Sequence, residues 1–240
     1  MRPITGELCS VCGERLVSPF AFAGETSSAD SGEVRCGLCR RLEPAYVKAT
    51  AYGSYDSGLR ELIHLLKYNQ VRPAANVLGR MLTEAIEDLQ PLFSASEVLV
   101  VPVPLHARKR RQRGFNQSEL IAAAALKLKP AIARLRLNAA LLERRRETKS
   151  QIGLSRHQRR ENIRGAFVVT KPDEVNGREI LVVDDVFTTG TTVSECARIL
   201  RRAGAAKVYV ATVARTLKTE AQHALRESET EARLAMAAAG

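Results

Sequence analysis

Tryptophan is absent from this chain, and phenylalanine and tyrosine bring the aromatic share to only 5%. A nucleic-acid surface that works by stacking bases on aromatic platforms would therefore be thinly supplied. No apolar run approaches the ~18 residues that a membrane-crossing helix needs, and Leu120–Leu126 is far too short. The start, M-R-P-I-T-G-E-L-C, has no apolar stretch of signal-peptide length, so a cytoplasmic protein with no membrane span is expected. No G-x-x-x-x-G-K-[ST] occurs, which removes a P-loop nucleotidase. Internal repeats are also missing, which removes solenoids and propellers. What remains, at 240 residues and 45% hydrophobic content, is a globular chain with enough apolar matter for a real core: one domain of ordinary size plus an appendage.

The net charge of +11 is unevenly spread. Between Leu105 and Arg164 there are 17 Lys and Arg against 4 Asp and Glu, which leaves the rest of the chain close to neutral. Such a block attracts phosphates, whether on a small molecule or on a nucleic-acid backbone. Charge alone does not choose between them. Phe115 and, just beyond the block, Phe167 are the only aromatic residues at hand there.

Four of the five cysteines form two pairs, Cys9-Ser-Val-Cys12 and Cys36-Gly-Leu-Cys39. Zinc takes four thiolates in a tetrahedron, and a tight C-x-x-C turn presents two of them at once. The 23-residue spacer, Gly13–Arg35, is slightly longer than usual for a ribbon and carries a loop around Thr26–Gly32. Disulfides are the alternative, disfavoured in a cytoplasmic setting. With every position filled by a cysteine, a Zn²⁺ here has no open site for catalysis, so its role is structural. Cys196 stands alone and reads as a packed core residue.

The richest stretch is Glu179–Thr192, E-I-L-V-V-D-D-V-F-T-T-G-T-T. Ile180–Val183 reads as a buried parallel strand that ends in two adjacent carboxylates, Asp184 and Asp185. Thr188, Thr189, Gly190, Thr191 and Thr192 follow, then a helical pattern through Val193, Cys196, Ala197 and Leu200. Hydroxyls and free N–H groups at a helix start make a phosphate cradle, and Gly190 permits close approach or a positive φ. The acids cannot share that phosphate. They suit a diol, directly or with Mg²⁺ nearby. A ligand with a 5-phosphate and a ribose diol satisfies both halves. A solvated surface loop and a Walker B strand are the competing readings, and the second fails without its P-loop. Val182–Thr192 resembles the phosphoribosyl pyrophosphate (PRPP) motif of type I phosphoribosyltransferases.

Elsewhere, Val47, Ala49 and Ala51 alternate as in a strand, and Leu59, Leu62, Ile63 and Leu66 recur at helical spacing up to Lys67-Tyr68. A second helix runs from about Pro73 to Ile86, with His64 an ordinary packed or surface residue. The strand Glu97–Val101 leads into Pro102-Val103-Pro104-Leu105-His106, then Arg108-Lys109-Arg110-Arg111-Gln112-Arg113-Gly114-Phe115-Asn116-Gln117-Ser118 and a further helix. A last strand covers Lys207–Val213.

V-P-V-P-L-H followed by R-x-R-G-F-N-Q, together with Leu65–Tyr68, the cysteine pairs, Thr148, Gln151, Leu154, Arg159, Asn162, Gly165–Phe167 and Ala203–Ala205, resembles the ComF (competence protein F) family over roughly Cys9 to Arg215. The resemblance implies a type I phosphoribosyltransferase core behind a zinc element, and an association with uptake of single-stranded DNA. It extends to amidophosphoribosyltransferases. By position, Val103–His106 resembles their pyrophosphate loop, and Glu143–Arg164 their mobile arm.

The expectation is thus an α/β chain: a zinc ribbon at 1–43, an open, mostly parallel phosphoribosyltransferase sheet with flanking helices at 44–217, and an Ala/Glu/Arg-rich tail at 218–240. Asp184 and Asp185 are expected to hold ribose hydroxyls, Thr188–Thr192 the 5-phosphate, and Pro104, Leu105 and His106 the pyrophosphate. Arg108, Arg113, Lys149 and Arg159 are candidate leaving-group clamps, because a departing pyrophosphate needs positive charge. No glutaminase element and no acceptor base is visible. The function expected is transfer of phosphoribosyl from Mg-PRPP to an unidentified acceptor. The alternative is a competence protein in which Arg108, Lys109, Arg110, Arg111 and Arg113 track single-stranded DNA, with a competence DNA helicase as the partner the family suggests.

Overall fold

The computed structural model describes residues 4, 6–16, 34–128, 135–148 and 155–217. In chain order the elements are α1 (Gly37–Leu42), β1 (Ala49–Ser54), α2 (Ser57–Tyr68), α3 (Ala74–Glu87), β2 (Val98–Pro102), α4 (Ala107–Arg113), α5 (Gln117–Leu128), β3 (Leu135–Leu137), β4 (Leu142–Arg144), α6 (Arg156–Ile163), β5 (Phe167–Val169), α7 (Pro172–Val175), β6 (Glu179–Phe187), α8 (Thr191–Arg202) and β7 (Lys207–Arg215). Lys149, Gln151, Leu154, the loop around Thr26–Gly32 and the tail 218–240 lie outside the described residues. No helix among those described is long and apolar enough to cross a membrane.

Five strands form one sheet in the order β1-β7-β6-β2-β3, and every neighbouring pair is parallel. Side chains alternate across a strand, so a sheet covered on both faces needs apolar residues at successive positions. The runs V-L-V-V and I-L-V-V meet that demand. Leu99, Val101, Ile180, Val182, Val208 and Val210 join the core on the α8 side. Val98, Val100, Leu181, Val183, Tyr209 and Ala211 join the core on the α2, α3 and α5 side.

The order of the strands decides where a ligand can sit. From β2 the chain moves outward to β3, and from β6 it moves the opposite way to β7, while β2 and β6 lie side by side. That is a topological switch point, and the crevice beyond the carboxyl ends of β2 and β6 is where open α/β sheets bind ligands. The Pro102–His106 segment and the Asp184–Thr192 segment leave from those two ends.

Several elements differ from the sequence reading. β6 does not stop at Val183. It runs through both acids to Phe187, with Asp184 opposite Thr212 and Phe187 opposite Arg215 in β7. β7 itself continues to Arg215. Pairing between neighbours, which a single strand's pattern cannot reveal, carries both strands past their apolar runs. The basic stretch after His106 folds as the short helix α4, closed by Gly114 in the left-handed region at φ 81°, a conformation that favours glycine. The arm expected at Glu143–Arg164 begins in β4, which pairs antiparallel with β5 in a separate two-stranded sheet. α6 lies between those strands and starts with a capping box in which Ser155 and Gln158 satisfy each other's backbone. The cysteine segment shares one continuous apolar cluster with Tyr46, Ala49, Val182, Val208 and Cys196.

α3 and α5 cross closely at Gly79, where an added Cβ would lie 2.7 Å from the Ala124 Cβ and 2.9 Å from the Ala125 nitrogen. A side chain there has to push two helices apart. Gly79→Val should cost about 1–3 kcal/mol of stability, measured as a lower midpoint in thermal or urea unfolding. An unchanged midpoint would show that this contact is not tight.

Candidate functional site

The acid pair lies in the C-terminal half of the buried strand β6, and its surroundings are built to tolerate it. Ser118, fully buried at the start of α5, donates its hydroxyl to Asp184 Oδ1 at 2.9 Å, and the Asp185 N–H donates to the same oxygen at 3.0 Å. Asp185 is only 4% exposed, and the Lys67 ammonium from the last turn of α2 sits on its Oδ2. Burial, then the neighbouring Asp185 charge, pushes the Asp184 carboxyl up to about 8. Burial would raise Asp185 as well, but the Lys67 charge and hydrogen bond reverse that and hold it below the usual carboxylate range. Burial works against the Lys67 ammonium, yet Asp185 carries its pKa above the ordinary lysine value.

Around this pair the chain gathers positive charge. Arg113, 9% exposed, hydrogen-bonds Gln117, and its guanidinium lies 5.8 Å from the Tyr68 ring. Burial lowers its pKa, and the Asp185 charge opposes that. Burial also lowers Lys109, helped by the Arg113, Arg144 and Lys67 charges and only partly countered by Asp185. Arg144, in β4, lies over Phe167 at 5.4 Å and hydrogen-bonds Thr148. It is held down by burial and supported by Cys196 and Asp184. Lys67, Lys109, Arg113 and Arg144 thus feel one another or the two carboxylates, and cations outnumber anions.

The loops complete the crevice. Asn116 donates from Nδ2 to the Val103 carbonyl at 3.1 Å, while its Oδ1 accepts from the Ser118 N–H at 3.2 Å. The G-F-N-Q-S run therefore ties the loop after β2 to the helix that supports Asp184. Pro104 is buried, Leu105 and His106 are partly buried, and His106 bridges to Arg144 in β4. The His106 Nδ1 is buried with no hydrogen-bond partner. After β6, Gly190 takes φ 72° and α8 starts at Thr191. A Cβ at Gly190 would strike the Phe187 ring, so glycine is required both for conformation and for space. Thr189 and Thr191 hydroxyls lie 2.8 Å apart, and Arg159 Nη1 reaches Thr188 Oγ1 at 3.5 Å.

The cysteines meet as their spacing implies. The sulfurs of Cys9, Cys12, Cys36 and Cys39 all lie within 4.8 Å of one another, buried, and could hold a metal ion. Each C-x-x-C closes as a turn, with Gly13 N–H donating to Cys9 O at 2.9 Å and Arg40 N–H to Cys36 O at 3.1 Å. The Cys36 N–H donates to Cys9 Sγ at 3.2 Å. Arg215, at the end of β7, hydrogen-bonds the Cys12 carbonyl. It also reaches Cys12 Sγ at 3.7 Å and Glu14 at 3.0 Å. Its guanidinium lies 4.4 Å from the Phe187 ring that underlies Gly190.

The phosphoribosyl transferase domain family matches residues 124–231. DNA utilization protein YhgH of Escherichia coli strain K12 is 32% identical over 212 residues, which cover 88% of this chain and 91% of that protein. Competence protein F of Haemophilus influenzae is 31% identical over 211 residues, 87% of this chain and 90% of that one. The chain belongs to the ComF family. A solved structure of glutamine PRPP amidotransferase from B. subtilis, complexed with ADP and GMP, is 23% identical over 58% of this chain and 26% of that one, with a TM-score of 0.35, a likeness too loose to build on.

In this ComF protein the candidate residues divide. Asp184, Asp185, Pro104–His106 and Thr188–Thr192 all lie at or just beyond the carboxyl ends of the neighbouring strands β2 and β6, and Arg113 feels the Asp185 charge. Arg108 is exposed and pairs with Glu147 at 3.4 Å. Arg110 faces Glu119 at 3.8 Å, and Arg111 is exposed on α4. The basic run is thus split between an inward Arg113 and an outward face. Lys67, Ser118, Arg144 and Arg215 carry contacts that sequence reasoning did not assign. Lys67 and Ser118 had a signal, since they belong to the L-L-K-Y and G-F-N-Q-S runs. Arg144 and Arg215 had none, because each is one arginine among many until the fold buries it.

Asp184 titrates above its unfolded value, so its contribution to stability is complete in acid below about 4 and is lost as pH rises through about 8. Asp184→Asn keeps an oxygen for Ser118 and removes that loss. The variant should melt progressively higher than the parent as pH rises through this window, and a difference independent of pH would contradict the assignment.

Proposed function

We propose that the switch-point crevice binds PRPP and that the protein transfers its phosphoribosyl group to an acceptor. The observation that carries this reading is the meeting, at one sheet edge, of an acid pair, a hydroxyl-rich helix start and an excess of cations. Asp184 and Asp185 accept from the ribose hydroxyls, and the Thr188–Thr192 turn with Gly190 holds the 5-phosphate. Pro104, Leu105 and His106 line the pyrophosphate end. Lys109, Arg113 and Arg144 take the leaving-group charge, and Arg159 joins the arm to the phosphate turn. Arg108 meets the arm through Glu147. PRPP would carry Mg²⁺, which would offset the charge of its phosphates. Cys9, Cys12, Cys36 and Cys39 would hold Zn²⁺ and so fix the two C-x-x-C turns of residues 1–43 to each other, while the shared apolar cluster seats them on the 44–217 domain; 218–240 is given no role.

Displacement at the anomeric carbon needs a stabilised leaving group and exclusion of water. The cation cluster would supply the first, and the β4–β5 arm with α6 the second. Pyrophosphate release from Mg-PRPP by zinc-loaded protein, with a panel of amines, nucleobases and single-stranded DNA, tests the reaction. Release that depends on one acceptor is the expected result. Asp185→Asn removes a charged acceptor from the diol and should weaken PRPP by about a hundredfold, measured by calorimetry on protein shown to be folded. Unchanged affinity would remove the acid pair from the site.

A second reading has its own support in the outward face of α4 and in the names of the relatives. Arg108, Lys109, Arg110 and Arg111 would then follow a DNA single strand, beside a helicase-type partner, with PRPP as ligand or regulator. Binding that weakens steeply with salt favours it, and no binding at low salt counts against it.

A further inference from the structure

Two adjacent carboxylates at the mouth of a phosphate site look like a seat for a divalent metal, since oxygen ligands suit Mg²⁺ and Mn²⁺. Here the seat is taken. The Lys67 ammonium rests on Asp185 Oδ2 and hydrogen-bonds it. Lys67 is held there by its helix. Ile63 and Leu66, both fully buried, pin α2 to the sheet, and the Lys67 side chain is only 18% exposed. Asp184 is engaged differently, with Oδ1 accepting from Ser118 and from the Asp185 N–H. The titratable groups that act on Lys67 are Asp185, Asp184 and the Tyr55 phenol. Lys109 and Arg113 complete the surroundings of Asp185. A second cation approaching the acids would meet the Lys67 ammonium in contact with Asp185, with the charges of Lys109 and Arg113 also acting on that carboxylate.

We propose that Lys67 is a resident counter-cation that keeps divalent metal off Asp184 and Asp185, so that divalent metal enters the crevice only on the phosphates of the ligand. In naming a phosphate ligand this rests on the PRPP reading, but the exclusion itself concerns the ligand-free protein. Lys67 thereby leaves Asp185 ionised yet neutralised, ready to accept from a hydroxyl without binding a metal that would have to leave first. A lysine suits the task because its charge is a compact point with rotatable donors, able to shift aside as a diol arrives.

The test is Mn²⁺ binding to zinc-loaded, full-length protein without PRPP, followed by the electron spin resonance of free Mn²⁺ and by melting temperature. The parent should show no Mn²⁺ site that Asp185→Asn removes. Lys67→Gln should gain one Mn²⁺ per chain and a Mn²⁺-dependent rise in melting temperature. Lys67→Arg should gain neither, and Lys67→Gln combined with Asp185→Asn should lose both. If Lys67→Gln is too unstable to fold alone, Mn²⁺ should restore it, because the metal replaces the missing charge. The proposal is overturned if the parent already binds Mn²⁺ through Asp185, or if Lys67→Gln gains no binding and no stabilisation. Failure of PRPP to bind any of these proteins, with the Mn²⁺ results as expected, would instead remove the PRPP reading and leave the exclusion standing.

Discussion

A buried strand cannot carry two adjacent carboxyl groups near its end unless something answers their charge. Taking one such group out of water costs several kcal/mol even after the surroundings relax, and two side by side repel. In this fold the answer comes from across the sheet's C-terminal edge. α2 delivers Lys67 to Asp185, and α5 delivers Ser118 to Asp184. Much of the surrounding architecture serves that delivery. Ile63 and Leu66 seat α2, Asn116 couples the loop after β2 to the start of α5, and Gly79 lets α3 and α5 pack closely enough to hold both in place.

The crevice sits where it does because the chain leaves the neighbouring strands β2 and β6 in opposite directions. A parallel sheet needs crossovers, and where successive crossovers run in opposite directions the loops part and leave a space. The four elements that meet there bring different chemistry. β2 leads to a loop with an unpartnered His106 nitrogen, β6 to acids and hydroxyls, α4 to Lys109 and Arg113, and β4 to Arg144. None of these is unusual alone. Together they leave more positive than negative charge around the acids, which is an environment for an anion.

Arg215 links the cysteine cluster to this crevice. The N–H edge of its guanidinium engages Cys12 and Glu14, and the group lies over Phe187, the ring that fills the space beneath Gly190. The cysteine segment has no isolated core; its apolar residues merge with those of β1, β6 and β7. A change in the geometry of the cysteines therefore bears on the ring that underlies the hydroxyl turn.

Much of this was legible in the sequence because it is local or periodic. Ile180–Val183 read as a strand buried on both faces, and the T-T-G-T-T run as a turn into a helix, and both stand. Two C-x-x-C turns announced their own four-sulfur cluster. The strand's continuation to Phe187 was hidden, since hydrogen bonds to β7 extend it through polar residues. Which arginines matter was hidden as well: Arg108 and Arg113 look alike in a basic run, but α4 turns one outward and one inward. What the sequence determined by itself were β1, β2, β6 and β7, the acid pair, the hydroxyl turn and the cysteine pairs, because those depend on neighbours along the chain; the short strands β3, β4 and β5 carried no such signal. Only the tertiary structure decided that Lys67 neutralises Asp185, that Arg144 and Arg113 join it, and that Arg215 spans two sites. Charges pair by distance in space, and no spacing along the chain records that.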